Sequence, residues 1–253
     1  MVAEAFASAT IHFFEPKEFS LMEFSFKKSC KYKIVKYFLL QKTVSKLIHL
    51  FLKINGVIEP TGSSKVFFHP FSYRKFHPGA KIKILSGDLL FGYPFPDVSY
   101  FPSYTKSVIA MGENSQLVIN GDVNIVNGCI IKLAKNAILS IGDGTSISQN
   151  NVILCGAEIE IGKNCLFSWN IQIMDLDGHK ISRKGEIPVK KSKKIKICDN
   201  VWICSNATIC KGVTIGEGSV VGANSVVTCD IPPFSVAVGN PAKVVRENIA
   251  WEK

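Results

Sequence analysis

A chain of 253 residues with 47% hydrophobic and 20% charged side chains has an ordinary soluble composition and enough apolar material for one substantial core. Its formal net charge of +10, from 30 basic and 20 acidic side chains, calls for an anionic partner such as phosphate, an acidic glycan, a membrane surface or nucleic acid. Eight cysteines without a single CxxC pair argue against a zinc knuckle or a redox motif and leave free, partly buried thiols as the expectation.

Residues 1–21 show no pattern, and Met22 opens a second natural-looking start, so this stretch reads as a leader. It lacks the basic start and apolar core of a signal peptide, and no apolar run reaches the ~18 residues of a membrane span, so a cytoplasmic protein is expected. From Ile34 to Leu52 apolar residues return at helical spacing (Ile34, Val35, Phe38, Leu39, Leu47, Ile48, Phe51, Leu52) among Lys31, Lys33, Lys36, Lys42, Lys46 and Lys53. Residues 28–54 are therefore a basic amphipathic helix, suited to pack on its own domain or on another subunit, or to lie on the inner face of a membrane. With the leader it makes an N-terminal segment over residues 1–60.

Short β-type runs begin near residue 80, with KIKIL and DLLFGY, and the insert YPFPDVSYFPSY at 93–104 is an excursion from a regular scaffold. Aliphatic residues then fall at 119, 125, 131, 141, 147, 153 and 161, six apart with occasional slips of two. The most regular stretch divides into ICDNVW, ICSNAT, ICKGVT, IGEGSV, VGANSV and VTCDIP, each opening on Ile or Val, with a small or β-branched fifth residue (Val201, Ala207, Val213, Ser219, Ser225, Ile231). Six consecutive hexads predict a triangular parallel β-helix over residues 61–242, in which the first position points inward and the fifth turns the corner. Three hexads make one coil, so residues 18 apart stack at the sheet spacing of ~4.8 Å.

The rhythm fails only at DLDGHKI, and a loop over 175–196 leaves the coil there. A reactive group that must reach across a cleft has to leave a packed coil, and the loop delivers His179. Imidazole titrates near neutrality and suits deprotonation of a weakly acidic hydroxyl. Asp175 and Asp177 flank it, where a carboxylate could orient the ring or raise its basicity. The same 175–196 stretch holds eight basic and three acidic side chains, a surplus able to draw in phosphates or an acidic acceptor.

MDLDGHKI, DNVWICSNATICKGVTIGEGSVVGANSVVTCDIPP and VGNPAKVVRE resemble the hexapeptide-repeat acyltransferases, in the branch of maltose, galactoside and polysaccharide O-acetyltransferases, over roughly residues 80–250. The resemblance implies a left-handed hand for the β-helix, a short C-terminal helix over 243–253, acetyl-CoA as donor with no metal, and a homotrimer with sites between subunits. It implies His179 as the base, and Ser205 at the thioester with Ala223 and Thr228 further along the pantetheine arm. Lys243 and Arg246 would meet the nucleotide phosphates, and Trp202 would wall the slot beside a neighbouring subunit's histidine. Asn150, Trp169 and Asn170 match acceptor-side positions, with Asp175 and Asp177 beside them. Cys198, Cys204 and Cys210 replace the usual second-position glycine of the hexad, so a wider coil is expected there.

The expected activity is acetyl-CoA-dependent O-acetylation of a sugar hydroxyl by direct transfer, in the biosynthesis of a surface polysaccharide. N-acetylation of an amino-sugar nucleotide or of a xenobiotic is the alternative within enzymes, and a non-catalytic membrane-associated scaffold the alternative outside them. A β-helix carbonic anhydrase would need three coil histidines, and His179 is alone in the repeat. Nucleic acid is disfavoured because no base-stacking groove accompanies the lysines.

Overall fold

In the computed structural model, which describes residues 43–93, 106–179 and 192–252, the chain winds through three parallel sheets. Ile58–Pro60, Val66–Phe68 and Tyr73–Phe76 make the first coil, and each strand pairs with the third strand after it. The first side holds seven strands ending at Thr214–Ile215, the second nine ending at Ala242–Arg246, and the third seven ending at Val226–Val227. This is the triangular parallel β-helix that the hexads predict, the fold for which the resemblance implies a left hand. All described residues lie in one unit, Gln41–Lys253.

Ile119, Ile141, Ile161, Ile197 and Ile215 stand one above another on the first side, so successive coils take 22, 20, 36 and 18 residues. The step of 36 contains the excursion after Met174. The inward column Ile197, Ile203, Ile209, Ile215, Val221, Val227 is at most 1% exposed, and each such side chain contributes roughly 1.5–3 kcal/mol by leaving water. Ile119, Ile125, Ile131, Ile141, Ile147, Ile153 and Ile161 are buried likewise, as their spacing requires.

The corners differ from the expectation in one detail. The fifth-position residues Val201, Ala207, Val213, Ser219, Ser225 and Ile231 fill the inside of each corner and are buried. The turn itself is made one residue earlier, by a backbone in the left-handed region: Asn200, Asn206, Gly212, Gly218 and Asn224 have φ between 56° and 79°. Among the described residues, every non-glycine residue of positive φ is an asparagine except Phe234, because a short amide side chain tolerates that region and a β-branched one does not.

The coils that carry Cys198, Cys204 and Cys210 are not wider. They belong to the 18-residue step, and their N–H groups keep their ladder bonds to Ile215, Val221 and Val227 at 2.9–3.0 Å. Glycine is needed at Gly162, where a Cβ would come within 2.7 Å of the Asp199 nitrogen in the coil above.

Residues 43–54 are helical. Leu52 joins the core and Ile48 packs against it, while His49 Nδ1 accepts the Val66 N–H at 3.1 Å, so this part of the helix seats on the first coil. Leu47, Leu50, Phe51 and Ile54 stay exposed. The expected helix upstream of residue 43 and the insert at 94–105 lie outside the described residues. At the other end the expected C-terminal helix is instead a strand, Ala242–Arg246, antiparallel to Val236–Gly239. The β-branched pair Val244 and Val245 suits a strand, and the second side otherwise ends on an unpaired edge.

Three thiols are sealed in this core. Burial pushes Cys129 and Cys155 up to about 12 and Cys165 to about 11, from the 9.0 of an open thiol. The folded chain thus holds protons that the unfolded chain releases above its thiol pKa, so stability is intact below about pH 9 and falls as pH rises toward the folded values. Between pH 8 and pH 10 the loss is about 1.3 kcal/mol per thiol, or about 4 kcal/mol for the three. Urea denaturation across that range should show this decline, and the triple Cys→Ala variant should show a flatter one.

Candidate active site

The excursion that carries His179 leaves at the corner between the third and first sides, and its neck is closely tied. Asp175 is fully buried. One of its carboxylate oxygens accepts the N–H of Gly156 at 2.5 Å and the other those of Ala157 and Glu158 at 2.8 and 2.7 Å, all in the turn of the coil below. Leu176 bridges antiparallel to Ser192, and Lys193 N–H donates to the Asp175 carbonyl at 2.9 Å. From above, Gly212 N–H donates to the Lys193 carbonyl at 3.1 Å, and Lys211 Nζ pairs with Asp177 Oδ2. The neck therefore takes the place of a turn in the corner column, and the column continues through it.

Two expectations change here. Asp175 cannot serve as a substrate ligand or orient the imidazole, because both its oxygens are committed to main-chain donors inside the coil. Asp177 faces Lys211. The coil also resumes sooner than residue 196, with Ile195–Ile197 already a strand. Lys194 pairs there with Glu158 and Glu160 at 2.7 Å each and holds the Glu160 carboxyl below its ordinary range. His179 is exposed.

A second group gathers at the corner between the second and third sides. Trp169, Ser205 and Ala223 occupy one column, since Asn206 N–H donates to Trp169 and Asn224 N–H to Ser205, both at 3.0 Å. Asn150 and Asn170, read as acceptor-side residues, are turn residues of this corner with φ of 59°, and their N–H groups bond to Asn127 and Gln149 below. Their backbones are thereby explained by the fold. Trp169 is 52% exposed, and Ala223 is exposed beside a half-buried Ser205.

The last strand brings the two cations toward the same end of the molecule. Lys243 and Arg246 stand opposite Val238 and Val236 and are exposed, and Gly239 in the same hairpin donates its N–H to Ser225 Oγ at 3.1 Å, next to the Ala223 column. Thr228 is exposed but set apart from that column, just past the third-side strand Val226–Val227. Trp202 lies on the second side with its indole N–H 3.4 Å from Ser168 Oγ. Its ring meets Trp251 of the same chain, centroids 5.8 Å apart, and Trp251 N–H donates to the Asn200 carbonyl at 2.9 Å. The C-terminal tail thus covers part of the surface that Trp202 was expected to present. Trp251 and Lys211 carry no local sequence signal, since their partners lie 51 and 34 residues away.

His179 and Ser205 sit at opposite edges of the third side. Six residues of near-extended chain separate Ser205 from Lys211, roughly 15–20 Å, and two residues beyond Asp177 carry His179 at most about 7 Å from that anchor. One chain holds the two groups apart. Among the described residues no cluster of three His, Cys, Asp or Glu side chains could hold a metal ion.

The family described as bacterial transferase hexapeptide (six repeats) matches residues 194–229. A hexapeptide-repeat acetyltransferase of Vibrio cholerae O1 biovar eltor, solved with acetyl-coenzyme A, is 34% identical over 56% of this chain and 68% of its own, with a TM-score of 0.40. A maltose O-acetyltransferase of Clostridium difficile 630 is 30% identical over 56% of this chain and 66% of its own, with a TM-score of 0.38. A polysialic acid O-acetyltransferase is 22% identical over 78% of this chain and 90% of its own, with a TM-score of 0.49. No curated protein matches the chain.

The neck yields a stability prediction. Asp175→Ala leaves the main-chain N–H groups of Gly156, Ala157 and Glu158 without their acceptor and should cost roughly 3 kcal/mol in urea denaturation, with Asp175→Asn intermediate. A loss under about 1 kcal/mol would show that water replaces the carboxylate and that the neck is not held as described.

Proposed function

The chain belongs to the hexapeptide-repeat acetyltransferases, and from that membership we propose that it moves an acetyl group from acetyl-CoA to a sugar hydroxyl of a surface polysaccharide or its precursor, in sites shared between subunits of a homotrimer. The observation that carries the shared site is the separation of His179 from the Ser205 and Ala223 column across one side of the coil. A neighbouring copy with its third-side edge against that column brings a histidine to the slot that its own chain cannot reach.

In such a site the chemistry is direct transfer. A neutral His179 nitrogen takes the proton of the acceptor hydroxyl as its oxygen attacks the thioester carbon. Backbone N–H groups near Ser205 stabilise the tetrahedral oxyanion. Collapse breaks the carbon–sulfur bond, and the imidazolium returns its proton to the departing thiolate, leaving an acetyl ester and free CoA. Small side chains at Ser205 and Ala223 let the pantetheine arm lie along the column, and Thr228 would meet the arm only from the far edge of the third side. Lys243 and Arg246, exposed on the last strand beside that column's end, suit the nucleotide phosphates. Trp169, half open at the corner, suits the face of a sugar ring.

An acidic acceptor fits the charge. Lys194 and Lys196 are answered by Glu158 and Glu160, so the unbalanced part of the basic run is 180–191, whose sequence holds five basic side chains against Glu186. Contact with a membrane through residues 28–54 finds support over its described part, where exposed Leu47, Leu50, Phe51 and Ile54 are interleaved with the exposed Lys46 and Lys53. No described helix is long and apolar enough to cross a membrane.

Thiol release from acetyl-CoA across a panel of neutral glycans, acidic glycans and nucleotide-sugars tests the acceptor, with turnover expected on acidic glycans and falling as salt rises. His179→Ala should lower turnover by roughly 10²- to 10⁴-fold while leaving CoA binding intact. Complementation tests the shared site. Equal amounts of His179→Ala and Lys243→Ala/Arg246→Ala chains, refolded together, should recover roughly a quarter of wild-type activity, because about three-quarters of random trimers are mixed and each has one intact interface in three. Mixed trimers no more active than their parents would place each site within one chain.

A further inference from the structure

We propose that the Asp177–Lys211 ion pair is a positioning device for the base: it fixes where the imidazole of His179 stands without altering its proton affinity. The inference rests on His179 being the base, and it assigns to Asp177 a role different from an acceptor ligand or a charge partner of the ring.

The geometry points to this pair because it is the last fixed point before the histidine. Behind it, the neck is secured by the Asp175 carboxylate, by the Leu176–Ser192 bridge and by the Lys193 N–H. Just beyond it Gly178 and His179 are both exposed, and a Cβ built on Gly178 would meet nothing within 4 Å. Among the described residues, Asp177 ties this leg of the excursion to the coil above, through Lys211. The adjoining residue of the same turn, Gly212, holds the returning leg by its bond to the Lys193 carbonyl. One turn of the coil therefore clamps both legs.

The pair is also sheltered enough to act. Only 19% of the Lys211 side chain and 32% of that of Asp177 is exposed, so it is less screened by water and salt than the open pair Lys135–Glu113, in the turns after two third-side strands, at 62% and 47%. Burial first and the charge of Asp177 second lift the Cys210 thiol. The Asp177 carboxylate is held on the coil side by Lys211. A base displaced by 1 Å can lose two orders of magnitude in rate, so a clamp two residues away has a large effect to exert.

The test compares Asp177→Asn, Lys211→Met, the double variant, and Lys211→Arg, with His179→Ala alongside. For the first two, kcat should fall roughly 10- to 100-fold with KM for acetyl-CoA unchanged, and the double variant should lose no more than the larger of the two single losses, since both break the same pair. Lys211→Arg keeps the pair and should stay within about threefold of wild type. The acid limb of the kcat profile should hold its midpoint in the Asp177 and Lys211 variants, because position rather than proton affinity is changed. Thermal midpoints and CoA stoichiometry, read on the same samples, should match wild type, which a merely structural role would not allow. Near-wild-type kcat in Lys211→Met, or a shift of the acid limb large enough to account for the whole loss, would overturn the inference while leaving the base assignment standing. Near-wild-type turnover in His179→Ala would remove the base assignment and this inference together.

Discussion

Every coil of this protein must set its corner directly above the corner beneath it, because the N–H of each turn residue finds its acceptor in the coil below. Asn170 reaches down to Gln149, Asn206 to Trp169 and Asn224 to Ser205. A corner displaced by one residue would strand that donor and rotate the next inward side chain out of the core. The aliphatic columns, the left-handed asparagines and the small corner residues all follow from this one requirement. So does the position of the candidate site, since a side chain on the coil can only face inward, line a flat side or stand at a corner.

The excursion after Met174 satisfies the same requirement in another way. Where a turn should stand, the chain leaves and returns, and the missing main-chain acceptor is supplied by the Asp175 carboxylate, which takes the three donors of the turn below. The turn above closes on Lys193 and Lys211. The corner column is unbroken, and a histidine has been carried outside it. This is also why His179 stays at one edge of the third side while the Ser205 column stays at the other. Rigid stacking fixes the neck and the Ser205 column, and neither can move toward the other without breaking the ladder.

The repeat was legible in the sequence because the inward column is chemically uniform: Ile197 to Val227 at six-residue steps leaves little room for another reading. The excursion was legible as a break in that uniformity. What the break contained was harder to read, because a carboxylate beside a histidine looks the same in sequence whether it faces the ring or the coil, and Asp175 faces the coil. Asn150 and Asn170 posed the same difficulty, an amide being both a sugar ligand and a residue that tolerates positive φ. The turn position could have been found, since Asn or Gly recurs at the fourth place from Asn200 to Asn224. Lys211 and Trp251 could not, because their partners are distant in sequence and close only once the coil is wound. The final strand was misread because local pattern could not show that Val236–Gly239 would need a partner for its free edge.

The central claim is that the site is completed by a second copy, and a structure of the protein bound to CoA and an acceptor analogue tests it most directly. The account predicts a His179 nitrogen within about 4–5 Å of the CoA sulfur that comes from the adjacent chain, with the same chain's own His179 roughly 8 Å or more from that sulfur. A sulfur lying against the histidine of the chain whose Ser205 it touches would contradict the account.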